Sequence, residues 1–135
     1  MSARFLLDTD TCIYALNRRA PAVVARFDRL RPGEAVISVI AFGELEFGAS
    51  KSRSPETAQA YLAALLSVVD LQAVPVEAAR HYAQIRHALE SKGTPIGGND
   101  LWIAAHARAA GLTLVSNNER EFRRVGGLKI QNWTA

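Results

Sequence analysis

Phe5-Leu6-Leu7-Asp8-Thr9-Asp10 decides the fold of this chain. Three apolar residues without alternation read as a short strand buried on both faces, and the strand, Arg4 to Asp8, ends on an acid. Thr9 to Leu16 then reads as a short helix. The same pairing of strand and helix recurs on the way to the C-terminus. Pro21 to Leu30 is a second helix with proline in its first turn, and Pro32-Gly33 is a turn. Glu34 to Ser38 is a second strand, and Ser38 caps a helix from about Val39 to Ala49. Ser54-Pro55-Glu56 supplies a cap, an N1 proline and a first-turn acid for a helix to about Leu66. Val69 to Val74 is a third strand. Val76, Ala79, Tyr82, Ala83, Ile85 and Leu89 fall at helical spacing in a long helix from Val76 to Lys92, which Gly93 ends. Asn99 caps a helix to Ala110, which stops at Gly111. Thr113 to Ser116 is a fourth strand and Leu128 to Gln131 a short fifth. This alternation predicts an α/β fold: a mostly parallel sheet of four to five strands, covered by helices on both faces.

The 135 residues are expected to form one domain, 1–135, long enough to bury a core. No apolar run approaches the roughly 18 residues of a membrane span, so no membrane partner is expected. The N-terminus has no signal-peptide layout. The single cysteine, Cys12, fits a reducing compartment, and a cytoplasmic location is expected. The net charge of +3 is unevenly spread. Arg18, Arg19, Arg26, Arg29 and Arg31 face only Asp28 in one stretch, and Arg120, Arg123, Arg124 and Lys129 form a second cluster. Such clusters attract nucleic-acid phosphates, although a solvated face is the plainer reading.

In a parallel sheet, ligands bind beyond the carboxyl ends of the strands. Asp8 and Ser116-Asn117 lie at such ends, and Ser38 leads from a third toward Glu44. Asp100 opens a helix, where the backbone dipole favours an acid. Glu121 follows the fourth strand in Asn117-Asn118-Glu119-Arg120-Glu121. Two carboxylates about 4 Å apart repel by roughly 4 kcal/mol at an effective dielectric near 20. Several together raise one another's pKa unless a cation neutralises them. A divalent ion on oxygen ligands suits phosphate chemistry. Each acid also has a simpler reading: Asp8 as a turn former, Asp100 as a helix charge, Glu121 as an exposed acid. Glu44 is hardest to read that way, because its neighbours Val39-Ile40-Ala41-Phe42-Gly43 and Leu45 are apolar.

The segments Phe5 to Asp10, Ser38 to Leu45, Thr94-Pro95-Ile96-Gly97-Gly98-Asn99-Asp100-Leu101-Trp102 to Ala107, and Leu114 to Phe122 resemble, in order, the PIN-domain ribonucleases. They most resemble the VapC toxins of bacterial toxin–antitoxin pairs. The ending from Val125 to Trp133 resembles that group too. The resemblance implies a PIN-like α/β/α sandwich and a magnesium-dependent endoribonuclease, with manganese as a substitute ion. It implies Asp8 and Asp100 as metal ligands, with Glu44 and Glu121 completing the catalytic set. Many members carry an aspartate where this chain has Asn117 and Asn118, so those amides, Glu119, Thr9 and Ser116 are candidates for the surrounding shell. Arg18, Arg19, Arg123 and Arg124 are candidates for RNA contact. The implied substrate is structured RNA such as a tRNA anticodon stem-loop, initiator tRNA among the possibilities. The implied partners are a VapB-type antitoxin, whose complex with the toxin is a hetero-oligomer, and a second copy of the chain in a homodimer.

Two other functions fit parts of the sequence. Asp8-Thr9-Asp10 is similar to the nucleophile and acid pair of haloacid-dehalogenase phosphatases, but no lysine motif or later acidic pair accompanies it. The asparagines at 117 and 118 would also suit an RNA-binding module that keeps the PIN fold without activity. The remaining conspicuous residues read as structural: Cys12 as a small buried hydrophobe, His81, His87 and His106 outside any ligand pattern, Trp102 as core, Trp133 as a C-terminal anchor, and Gly97-Gly98 as a turn.

Overall fold

The computed structural model describes residues 2–134. Five strands form one sheet: β1 (Phe5–Leu7), β2 (Ala35–Ser38), β3 (Asp70–Gln72), β4 (Thr113–Val115) and β5 (Ile130–Gln131). Their order is β3-β2-β1-β4-β5, and every pairing is parallel. The sequence predicts a mostly parallel sheet; the sheet is parallel throughout. The central strands are buried along their whole length, as their unbroken apolar runs require. β3, at the edge, is largely exposed and shorter than the predicted strand.

The helices are α1 (Thr9–Asn17), α2 (Pro21–Asp28), α3 (Val39–Ser50), α4 (Pro55–Leu66), α5 (Ala78–Ser91), α6 (Gly98–Ala110) and α7 (Glu119–Phe122). α5 and α6 pack through buried Ile85, Leu89, Leu101 and Ala105, and Tyr82 stacks on Trp102 with ring centroids 4.0 Å apart. Trp133 meets Phe5 edge to face at 5.3 Å, anchoring the chain's end on β1. Cys12 is fully buried, and burial pushes its thiol pKa up.

Two helix starts and one cap bond differ from the sequence reading. α6 begins a residue before Asn99, with Gly97 as its cap, so Asn99 lies inside the helix. α5 begins at Ala78, and Val76, expected on its packed face, is 88% exposed. Ser54 stands before α4 but makes no side-chain bond to the helix backbone; its hydroxyl donates to Thr57 Oγ1 instead. The short helix α7 forms where the sequence reads only as a polar cluster.

β1 sits where the strand order reverses. The chain runs from β1 through α1 and α2 to β2 on one side, and β4 returns on the other side much later in sequence. Crevices at such switch points are where parallel sheets bind ligands. The ends of β1 and β4 carry Asp8 and Ser116 into this crevice.

Candidate active site

Asp8 is the N-cap of α1, and backbone and side-chain bonds together fix it. Its backbone N–H donates to Val115 O at 2.9 Å, joining it to β4. Its carbonyl accepts from Cys12 N–H at 3.1 Å. Thr9 N–H donates to Oδ1 at 2.7 Å, and Ser116 Oγ donates to Oδ2 at 2.8 Å. Ser116 Oγ in turn accepts from Asn118 N–H at 3.0 Å. Burial raises the Asp8 pKa; the bonds from Ser116 and Thr9 oppose that rise, and the charges of Asp10 and Glu44 add to it. A buried carboxyl held on both oxygens is a fixed feature and not a surface acid that happens to end a strand.

Asp100 stands in the first turn of α6 and is half-buried. Its pKa is raised to about 7, first by burial, then by a hydrogen bond shared with Glu121 and by the charges of Glu121, Asp8 and Glu44. Glu121 is held by two donors and lies against Asp100: Asn118 Nδ2 donates to Oε2 at 2.7 Å, and Gly97 N–H donates to Oε1 at 3.2 Å. Burial acts to raise the Glu121 pKa, but these bonds and nearby Arg124 bring it below the ordinary glutamate value. The two carboxyls are therefore pushed apart: Asp100 is the one that holds a proton more readily, and Glu121 the one that ionises more readily. Glu44 projects from α3 and accepts from Thr9 Oγ1 at 3.0 Å. It is exposed, although its sequence neighbours suggested otherwise. The outer face of α3 is mixed: Val39 and Phe47 are exposed on it beside Glu44 and Glu46.

The fold thus gathers Asp8, Glu44, Asp100 and Glu121 within electrostatic reach of one another from α1, α3, α6 and α7. Thr9, Ser116 and Asn118 tie them together. Asn117 is adjacent, and its Oδ1 is buried with no hydrogen-bond partner among the described residues. Glu119 turns away to pair with Arg123 at 3.2 Å. The donors are hard oxygens, which suit magnesium or manganese over softer ions. Among the described residues, no three carboxylate, imidazole or thiolate groups already converge as a ligand cage. The acids of the crevice offer the oxygen atoms a divalent ion would take, and the unpartnered Asn117 oxygen adds a neutral one.

The arginines proposed for RNA are differently engaged. Arg18 pairs with Asp28 at 3.2 Å, and Arg123 pairs with Glu119. Arg124 donates to Pro95 O at 3.1 Å, which ties α7 to the loop before α6. Together with the Gly97–Glu121 bond, this contact sets where Asp100 and Glu121 meet. Nothing in the residue spacing announced it. Arg19 has no side-chain partner among the described residues. Gly97 and Gly98 have no positive φ, so their smallness serves neither a left-handed turn nor a phosphate loop. His106 is buried away from the acids, bonded through Nε2 to Gln72 Oε1 at 2.6 Å. His81 accepts from Arg108 Nε at 2.8 Å through Nδ1. Neither is part of the acidic group.

Comparison with known proteins places this geometry. Residues 5–128 match the PIN domain family. The chain is 41% identical over 131 residues to the tRNA(fMet)-specific endonuclease VapC of Shigella flexneri, covering 97% of this chain and 98% of that protein. Two solved complexes superpose on it closely. The DNA-bound VapBC of Salmonella typhimurium has a TM-score of 0.90 at 39% identity, covering 97% of this chain and 98% of the matched chain. VapBC2 of Rickettsia felis, bound to a promoter DNA fragment, has a TM-score of 0.89 at 37% identity, covering 96% and 98%. The family match, the full-length similarity and the close superposition agree: the chain belongs to the PIN-domain family, in its VapC ribonuclease branch.

Proposed function

We propose that this chain, acting as one PIN domain, is a divalent-metal-dependent endoribonuclease toxin that cuts structured RNA, with initiator tRNA as its substrate. The observation that carries the reading is the acidic group at the β1–β4 switch point, in which Asp8, Glu44 and Glu121 are held by fixed donors beside Asp100. Its relatives in Shigella flexneri and Salmonella typhimurium bear the name tRNA(fMet)-specific endonuclease, and that supports the choice of substrate. The phosphatase reading of Asp8-Thr9-Asp10 is set aside by the family and by Asp10, which lies exposed on α1.

Asp8 and Asp100 would hold magnesium or manganese directly, with Glu44 and Glu121 orienting its waters. The ion when bound supplies a positive centre that activates a water and stabilises charge developing on the phosphate oxygens. The protein's own groups do the positioning. Ser116 and Thr9 N–H keep both Asp8 oxygens in place, and Thr9 Oγ1 aims Glu44. Glu121 is held by Asn118 and Gly97 against Asp100. On loading, any proton on Asp100 must leave, so metal affinity falls at acid pH.

The partner reading follows from the surface. α1, α3 and α4 enclose a groove of about 310 Å³ lined by Ile13, Leu16, Leu45, Tyr61 and Leu62, with Glu44 and Thr9 at its end. Tyr61 is 52% exposed and Phe47 63%. A VapB-type antitoxin tail would cover these apolar groups and place a basic side chain among the acids. A homodimer and a cytoplasmic location complete the proposal; no described helix is long and apolar enough to cross a membrane.

The test is to incubate purified protein with total cellular RNA, with magnesium or with chelator, and map new ends by sequencing. Magnesium-dependent cuts concentrated in the anticodon loop of initiator tRNA are expected. Binding without cutting would instead make the chain an inactive RNA-binding module.

A further inference from the structure

A basic concavity is lined partly by Arg4 and Glu34, at the strand ends opposite the acids, and partly by Gln131, which lies level with Leu7 and Val115 in the sheet. It holds about 160 Å³ and is lined by Arg4, Arg26, Arg29, Glu34, Gln131 and Trp133 among others. Arg4 immediately precedes β1 and Glu34 precedes β2, whereas Asp8 follows β1. Four residues at about 3.3 Å each put the two ends roughly 13 Å apart along the strand.

Two of its arginines are held in place before any ligand arrives. Arg26 lies over the Trp133 ring, 4.9 Å from its centroid. Its Nη2 donates to Gln131 Oε1 at 3.2 Å, and the same oxygen accepts from Trp133 Nε1 at 3.0 Å. Trp133 is itself buried against Phe5. Arg4 lies over Phe5 at 4.9 Å and pairs with Glu34 at 3.0 Å. Each guanidinium uses few of its five N–H donors in these contacts. Arg29 is exposed and has no side-chain partner among the described residues. Arg31 stands beside the same glutamate. The three lining arginines, Arg4, Arg26 and Arg29, against one lining glutamate leave two positive charges.

We propose that this concavity is a phosphate-binding subsite for the RNA backbone, lined by none of the four acids and separate from their chemistry. It rests on the nuclease reading above for its choice of RNA over other phosphodiesters. Fixed guanidinium planes stacked on aromatic rings lose little freedom on binding, and their forked donors match phosphate oxygens. The subsite grips a phosphate outside the cleaved loop, so it selects substrates with structure extending past the cut. Phosphate contacts set register and carry no base preference.

The experiment compares wild type with Arg29→Gln, whose side chain supports no other contact, and with Arg26→Gln. Affinity for a labelled tRNA stem-loop is measured by anisotropy in chelator across a salt series. The expected result is about three- to tenfold weaker binding for Arg29→Gln, with the slope of log affinity against log salt reduced by roughly 0.7–0.9. Melting temperature should be unchanged for Arg29→Gln. Inorganic phosphate should shift the Trp133 indole N–H resonance in wild type and not in Arg26→Gln. In magnesium, cleavage of a short loop oligonucleotide should be equal in all three proteins, while KM for full-length tRNA rises in the variants. Equal salt slopes for wild type and Arg29→Gln would overturn the proposal. So would a slope change on a DNA duplex of the same sequence with none on RNA. A slope change in a chain that cuts no RNA would support the subsite while refuting the nuclease reading.

Discussion

Replacing Asp100 by asparagine should abolish cleavage and stabilise the metal-free protein. The two effects have one cause. Asp100 is raised from 3.8 to about 7 because burial and its acidic neighbours oppose its charge. That difference sets a ceiling of about 4 kcal/mol on what ionisation costs the folded state, at about 1.36 kcal/mol per tenfold change in proton affinity. Asp100 is only half-buried, so solvent screens part of this, and Glu121 recovers more by ionising easily in the same pair. About 1–2 kcal/mol remains after that screening. The folded state binds the Asp100 proton more tightly than the unfolded chain does. Its contribution to stability is therefore greatest below about pH 4, falls as pH rises toward 7, and stays lost above that. The amide introduced by Asp100→Asn cannot ionise, and it can still donate to Glu121. The variant should match wild type near pH 4 and melt roughly 4–8 °C higher at pH 8 in chelator. Magnesium should raise the wild-type Tm by mass action and raise that of Asp100→Asn much less. The assay is thermal unfolding from pH 4 to 8, with and without the ion. Equal melting of the two proteins in chelator at pH 8, or a lower Tm for the variant, would refute the reasoning.

Ser116→Ala removes a bond that holds the Asp8 pKa down, so the acid limb of the pH–rate profile should move to higher pH; the buried oxygen left unpaired should cost about 1–3 kcal/mol by chemical denaturation. Glu121→Gln should slow cleavage at least tenfold, and Glu119→Gln less than twofold, because Glu121 lies against Asp100 whereas Glu119 turns away to Arg123; single-turnover rates decide this. An antitoxin tail that places a basic group among the acids should bind more weakly as magnesium rises, and it should weaken magnesium by the same factor. Calorimetric titration of the tail across a magnesium series measures this, and constant affinity would mean that it covers only the RNA path.

The sheet was legible because β1, β2 and β4 are short, mostly apolar runs bounded by turn and cap residues, the pattern of strands covered on both faces. Asp8 was legible for the same reason, since it ends such a run. Glu44 shows the limit of that logic. Its apolar neighbours in sequence wrap around α3 and include exposed Val39 and Phe47, so they marked a helix with an uncovered face and not a buried acid. The start of α6 was misplaced because Asn99 is a stronger cap by type than Gly97, yet the glycine N–H is committed to Glu121, 24 residues away. Local pattern cannot register so distant a bond. The same holds for Arg124 on Pro95 O, and for Arg26 on Trp133, where two ends of the chain meet. Positive charge was visible as clusters, but only the fold divides those arginines into ion pairs, loop ties and an open concavity.

The central claim is that the acids at the β1–β4 crevice hold a divalent ion and use it to cut RNA. The most direct measurement is the single-turnover cleavage rate of purified initiator tRNA against magnesium concentration, for wild type and Asp8→Asn. Asp8→Asn keeps the shape of a buried, doubly bonded side chain and removes its charge. The account predicts a saturating magnesium dependence for wild type, no cleavage in chelator, and a loss of at least about a hundredfold in the variant at every magnesium concentration. Cleavage that persists in chelator, or an Asp8→Asn rate equal to wild type, would contradict it.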